Sequence, residues 1–260
     1  NNYLDVHAAV SLCRELEGFA TVIVKHNNPC GVALGTNQLE SYIKAREVDP
    51  VSAYGSIVAM STEVDVDVMK EICSTFVEVL VAPSFTPAAV EMAKTKENMR
   101  LLILPPAVPA DELRTIDGGV LVQRTPEYTE DWKVVSKRAP TADEMEAFKL
   151  AWKVVKYAKS NAIIYANKTE TVGIGVGQMN RVNSAQIAIE KAAEFGRTMK
   201  GTVVASDAFL PFADTLEVAA AAGATALIQP GGSIRDAEVL AKADELGIAM
   251  VFTGVRHFRH

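Results

Sequence analysis

Several features that mark whole classes of protein are missing from this sequence. It has no run of about eighteen apolar residues, so no membrane-spanning helix is expected. Lys and Arg (26) are outnumbered by Asp and Glu (32), the net charge is -6, and no basic stripe appears. That balance argues against a nucleic-acid partner and for small molecules held by a few placed cations. The three cysteines, Cys13, Cys30 and Cys73, are scattered and share no C-x-x-C. That pattern argues against a cysteine zinc site, and a reducing compartment, the cytoplasm, is expected. Zinc deamination needs H-x-E and P-C-x-x-C; here His26 is followed by Asn27-Asn28, and Pro29-Cys30 by Gly31-Val32-Ala33. No secretory signal pattern opens the chain, and because it begins at Asn1 rather than Met, targeting stays open.

Size and hydropathy are ordinary. With 260 residues, 49% hydrophobic and 22% charged, about 70% of the unfolded chain's surface is expected to be buried without any disulfide or metal staple. β-Branched runs bounded by Gly and Pro alternate with apolar spacing near 3.6, the pattern of an α/β protein. Strands are expected at 21–25, 56–60, 77–82 and 101–104, with helices at 38–47, 66–75 and 87–94. A polar, Pro-containing connection spans 105–142, with a strand signal at 119–123. Thr141 and Glu144 form a capping box that opens a long helix reaching about residue 159.

The second half repeats the first. Strands 162–166 and 172–176 resemble 22–25 and 32–34, each pair followed by a helix. Strands 203–206, 227–229 and 249–252, with helices between them, then match 57–60, 80–82 and 101–104. Ser61 and Pro83 are 22 positions apart, Ser206 and Pro230 24. The expectation is an internal duplication of one α/β/α unit opened by a hairpin-like pair: 1–104, a connection 105–142, and 143–260.

Chemistry is expected at strand ends. Lys25-His26 follows an apolar strand, and ligands of α/β sheets gather where strands finish. His is the side chain most readily tuned for proton transfer near neutrality, and a neighbouring Lys stabilises an oxyanion. A solvated loop tip is the other reading. Gly173, Gly175 and Gly177 alternate, but they are not G-x-G-x-x-G; tight strand packing competes there with a nicotinamide site. Gln229-Pro230-Gly231-Gly232-Ser233 either presents backbone N–H groups to an anion or is a turn with Ser233 as N-cap. Asp207, Phe209 and Asp214 follow another strand. Arg256-His257-Phe258-Arg259-His260 is a cationic tail, either frayed or closing over a phosphate or carboxylate.

Taken together, Lys25–Ala33 (KHNNPCGVA), 49–55 (DPVSAYG), 159–162 (KSNA), 173–181, 206–212, 229–236 and 256–260 resemble the AICAR transformylase family. That family is the formyltransferase part of the bifunctional AICAR transformylase/IMP cyclohydrolase of purine biosynthesis, and the likeness runs from Asn1 to His260. The resemblance implies two tandem cytidine-deaminase-like subdomains. It also implies transfer of the formyl group of 10-formyltetrahydrofolate to the 5-amino group of AICAR, giving FAICAR. Lys25 and His26 would be the catalytic pair. Asn161 and Arg181 would orient substrates, Phe209 would stack on the base, and Arg256 would meet the nucleotide. Asn2, Gly55, Glu78 and Asp214 match further pocket positions. A homodimer with shared sites is implied, as is a potassium ion near Asp207 and His260, which some members hold. The family's upstream R-Y-G-E-N-P-H-Q-like stretch and its cyclohydrolase domain are not in this sequence. A fragment that folds and dimerises yet binds AICAR weakly is therefore the alternative.

Overall fold

In a computed structural model, residues 1–104, 111–124 and 129–258 are described. The first half runs α1 (Asn2–Cys13), β1 (Phe19–Lys25), β2 (Asn28–Gly35), α2 (Gln38–Val48), the single-turn α3 (Pro50–Ala53), β3 (Ser56–Met60), α4 (Val66–Cys73), β4 (Val77–Ala82), α5 (Pro87–Ala93) and β5 (Arg100–Ile103). Between the halves lie β6 (Glu112–Ile116), β7 (Gly119–Gln123) and β8 (Lys133–Val134). The second half runs α6 (Ala142–Lys156), β9 (Ile163–Ala166), β10 (Thr171–Gly175), α7 (Arg181–Glu194), β11 (Val203–Ser206), α8 (Asp214–Ala221), β12 (Ala226–Gln229), α9 (Asp236–Leu246) and β13 (Ala249–Phe252).

Local chemistry explains the helix starts. The Asn37 side chain accepts from the Glu40 N–H at the head of α2, and Asp65 accepts from two N–H groups at the head of α4. Thr86 caps α5 with Pro87 in its first turn, and the capping box of Thr141 and Glu144 is formed on α6. Each cap satisfies donors that the first helical turn leaves unpaired.

The two main sheets have the same plan. The first is ordered β2-β1-β3-β4-β5 and the second β10-β9-β11-β12-β13, with β8 added at its far edge. In each, a hairpin pairs antiparallel with the next strand, and the last three strands are parallel. The central parallel strands are buried on both faces, which is why they read as unbroken apolar runs.

The layers explain that burial. α1 and α6 lie in the middle layer, where Leu12, Phe148 and Trp152 share one core with the inner faces of both sheets. α2, α4 and α5 cover the outer face of the first sheet, and α7, α8 and α9 that of the second. α1 was absent from the sequence expectations because, wedged in the middle layer, it buries Asp5, Ala8, Ala9, Val10, Leu12 and Cys13 around much of its circumference and shows no clean apolar stripe. β6 was likewise unexpected. β8 falls inside the expected connection but pairs antiparallel with β13.

Two of the alternating glycines, Gly173 and Gly175, have a packing role. A Cβ on Gly175 would run into the Ser184 carbonyl of α7, and one on Gly173 would sit 2.6 Å from the Ala188 carbonyl oxygen. In the first half Gly31 of β2 meets the Ala45 carbonyl of α2 in the same way. The strand-packing reading stands for Gly173 and Gly175, which lie within β10; Gly177 lies in the turn between β10 and α7 with φ +70° and no neighbour within 4 Å of a Cβ. Gly175→Ala is expected to destabilise the fold by at least about 1–3 kcal/mol through overpacking. Urea unfolding of the variant checks this, and an unchanged midpoint would contradict it.

Candidate active site

The hairpin β1–β2 carries the first candidate pair. Lys25 pairs with Asn28, so His26 and Asn27 form a two-residue turn. Their φ angles are 49° and 63°, both left-handed, as a type I′ turn requires. The register shifts between Ile23 and Val24, with Ile23 opposite Gly31 and Val24 opposite Pro29. Such a bulge twists the end of the hairpin, a device common beside functional sites. His26 is exposed at the tip. Lys25 Nζ donates to the Tyr54 carbonyl at 2.7 Å and the Gly55 carbonyl at 2.9 Å, leaving one of its three N–H donors. Gly55 has φ +67°, and a Cβ there would lie 3.3 Å from that Nζ. Glycine therefore serves both the turn and the approach of the lysine.

One expectation about placement is corrected. β1 runs antiparallel to β3, so Lys25-His26 stands beside the amino ends of the parallel strands β3 and β4, not in a carboxyl-end crevice. Glu78 stands at the same edge: the Gly55 N–H donates to the Phe76 carbonyl at 2.7 Å, and Glu78 is the second residue of β4. Asn2 Nδ2 donates to Glu78 at 3.4 Å, and Arg100 pairs with Glu78 at 3.0 Å.

A cavity of about 300 Å³ opens between the halves, lined by Lys25, His26 and Ser52 on one side and Ile174, Val176 and Lys191 on the other. Lys191 reaches Asp49 across it at 3.6 Å. The walls are held together by the edges of β2 and β10. The Val32 N–H donates to Thr171 Oγ1 at 3.1 Å, the Leu34 N–H donates to the Thr169 carbonyl at 2.6 Å, and the Lys159 N–H donates to Asn28 Oδ1 at 2.9 Å.

The second group of candidates gathers at the carboxyl ends of β11, β12 and β13. Asp207 is fully buried and pairs with Arg181 at 3.2 Å, while Ser160 Oγ and the Ala162 N–H also donate to its carboxylate. Burial pushes the Arg181 pKa down, and the Asp207 charge opposes that shift. Asn161 Nδ2 donates to the Gln178 carbonyl at 2.8 Å. The Arg256 guanidinium lies 5.0 Å from the centre of the Phe209 ring. Asp214 is exposed at the first residue of α8. Gly231 and Gly232 both have positive φ and stand beside this group, a Cβ on Gly232 falling 4.0 Å from Arg256 Nη2.

A cation at Asp207 does not fit this geometry well: the carboxylate is already compensated by Arg181 and accepts from two further donors. His260 and Arg259 lie outside the described residues. Among the described residues no group of three or more His, Cys, Asp and Glu is placed to hold a metal.

The family described as AICARFT/IMPCHase bienzyme matches residues 1–191. "Bifunctional purine biosynthesis protein PurH" of Halalkalibacterium halodurans is 50% identical over 266 aligned residues, covering 100% of this chain and 52% of that protein. The proteins of the same name from Aquifex aeolicus and Myxococcus xanthus are each 48% identical, again over 100% of this chain and 52% of their own length. The chain thus spans about half the length of the curated relatives it matches.

The tail is anchored at His257, to which sequence reasoning gave no separate role. Its backbone N–H donates to the Asp207 carbonyl at 2.8 Å, and its ring packs against Trp152 with centroids 4.3 Å apart and planes tilted by 43°. Both ring nitrogens are buried without a hydrogen-bond partner among the described residues. Burial first, and then the Lys156 charge, lower its pKa from 6.5 to about 4. The folded state therefore holds this ring neutral between those values while the unfolded chain protonates it. Stability contributed by the neutral ring is present above pH 6.5 and is lost as the pH falls toward 4, by about 2 kcal/mol between pH 7 and 5. Urea midpoints at the two pH values, compared with those of His257→Phe, check this. The variant is expected to lose most of that pH dependence.

Proposed function

The chain belongs to the AICARFT/IMPCHase bienzyme family, and on that footing we propose that it is an AICAR formyltransferase. It passes the formyl group of 10-formyltetrahydrofolate to the 5-amino group of AICAR, giving FAICAR and tetrahydrofolate. The observation that carries this reading is the Lys25-His26 pair, fixed at a hairpin tip on the cavity between the halves.

The AICAR amine is conjugated to the imidazole ring and weakly nucleophilic, so loss of its proton must accompany attack. His26 takes that proton as the amine nitrogen bonds to the formyl carbon. The carbonyl electron pair moves onto oxygen, and the tetrahedral oxyanion forms. Lys25 stabilises it with the N–H that Tyr54 and Gly55 leave over. As the intermediate collapses, the bond to N10 of the folate breaks and that nitrogen takes up a proton, which Lys25 or protonated His26 supplies.

The remaining assignments belong to the same proposal. Asn161 and Arg181 orient the substrates, Phe209 stacks on the AICAR base, Arg256 meets the nucleotide, and Asn2, Gly55, Glu78 and Asp214 complete the pocket. The equal strand order of the two sheets supports an internal duplication of cytidine-deaminase-like subdomains, divided at 1–104 and 143–260. The hairpin β6–β7 exposes Leu113, Ile116, Val120, Leu121 and Val122. An apolar surface of that kind supports a homodimer, with the two candidate groups meeting across the interface. Three free cysteines favour the cytoplasm.

Formyl transfer by this chain, followed with AICAR and 10-formyltetrahydrofolate, tests the reading; ligand binding without transfer would leave a fragment of low turnover. His26→Ala is expected to lower kcat by about 10²- to 10⁴-fold with the unfolding midpoint retained, and comparable turnover would remove the assigned base. Arg256→Ala is expected to weaken AICAR binding more than folate binding in calorimetry, and equal losses would count against its role.

A further inference from the structure

The strain in the β1–β2 turn needs a support, and the structure provides one from a different layer. Two consecutive residues that are not glycine, His26 and Asn27, hold left-handed backbone angles. His and Asn tolerate that region better than most side chains but still at a cost. Asp5, in the first turn of α1 and only 9% exposed, reaches the turn from the middle layer. Its Oδ1 accepts the Asn27 backbone N–H at 2.6 Å. The helix dipole favours a carboxylate at that position of α1, and a hydrogen bond to an ionised acceptor is roughly twice as strong as a neutral one. On the other side of the turn, Asn28 Oδ1 accepts the Lys159 N–H at 2.9 Å. His26 thus sits between two clamps, one from α1 and one from the segment that leads to Asn161.

We propose that Asp5 is a positioning residue for His26: by accepting the Asn27 N–H it locks the left-handed turn and sets the direction of the imidazole. Asp5 touches no substrate in this role. It acts through the backbone, and a displacement of the base by about 1 Å is enough to cost roughly 100-fold in rate. The catalytic consequence rests on the formyl-transfer reading, whereas the clamp itself does not.

The test uses the whole chain with Asp5→Ala, which removes the acceptor, and Asp5→Asn, which keeps an acceptor oxygen without the charge. Asn27 is followed as a ¹⁵N-labelled amide. In wild type its proton is expected downfield and protected from exchange; Asp5→Ala should abolish both properties and Asp5→Asn should retain them in large part. Asp5→Ala is expected to lower kcat roughly 10- to 100-fold with KM changed by no more than about two-fold. Asp5→Asn should recover most of the rate. In a His26→Ala background Asp5→Ala should have no further effect, because the residue it positions is gone. Should Asp5→Ala not fold, Asp5→Ser, too short to reach the amide, carries the same expectations. An Asn27 amide indifferent to Asp5, an unchanged kcat, or a loss that adds in full to that of His26→Ala would overturn the proposal. If wild type shows no formyl transfer while the Asn27 amide responds as described, the reaction is overturned and the clamp stands.

Discussion

The seam between β2 and β10 is the constraint from which the site follows. Each of these strands is the edge of its own sheet, and an edge leaves a row of N–H and C=O groups unpaired. Here the two edges meet. The Thr171 hydroxyl takes the Val32 N–H and lies 3.2 Å from the Val32 carbonyl, the Leu34 N–H finds the Thr169 carbonyl, and Ala33 bridges Glu170. Because β2 is joined to β1 by a two-residue turn, fixing β2 against β10 also fixes Lys25 and His26 against the second half. Move the seam by one residue and the cavity walls no longer face each other.

Around that seam, buried charge is consistently compensated. Glu15, at the end of α1, accepts from Lys156 at 2.6 Å and from the Tyr157 hydroxyl, tying the ends of the two middle-layer helices together. Burial raises the pKa of Glu144 at the head of α6, but its two-pronged pair with Arg138 and its hydrogen bonds with Thr225 and Thr141 together outweigh that and hold it down at about 2. Asp207 performs the same service for Arg181 and the Ser160–Ala162 segment. Pairs of this kind contribute little net stability, since desolvation offsets most of the attraction. Breaking one leaves a buried charge alone, so they specify one arrangement of the two halves more than they strengthen it.

Much of the architecture was legible in the residues. The bounds expected at 56–60, 77–82, 119–123, 203–206 and 249–252 are those observed for β3, β4, β7, β11 and β13. A strand buried on both faces announces itself by an uninterrupted apolar run, and the turn residues beside it mark its ends. α1 escaped notice because its buried residues run around much of its circumference while its exposed first turn carries the apolar Tyr3 and Leu4, so no stripe separates the two faces. β8 was invisible because two residues carry no period, and only their pairing with β13 defines them. Lys25-His26 stood out as polar residues at the end of an apolar strand. Asp5 did not, since its partner is a backbone N–H 22 positions away and a backbone group has no signature in sequence.

Sequence alone therefore determined the local alternation of strand and helix, the repeated order of elements and the family likeness, all of which reside in side-chain type and spacing. Tertiary structure decided which sheet edge carries each candidate, that the glycines of β10 serve the close approach of α7, and that the tail is held by a buried His257. The physical reason is common to these cases. Strand direction, backbone proximity and burial are relations between segments far apart in the chain, and they come into being only when the two sheets close on the helices between them.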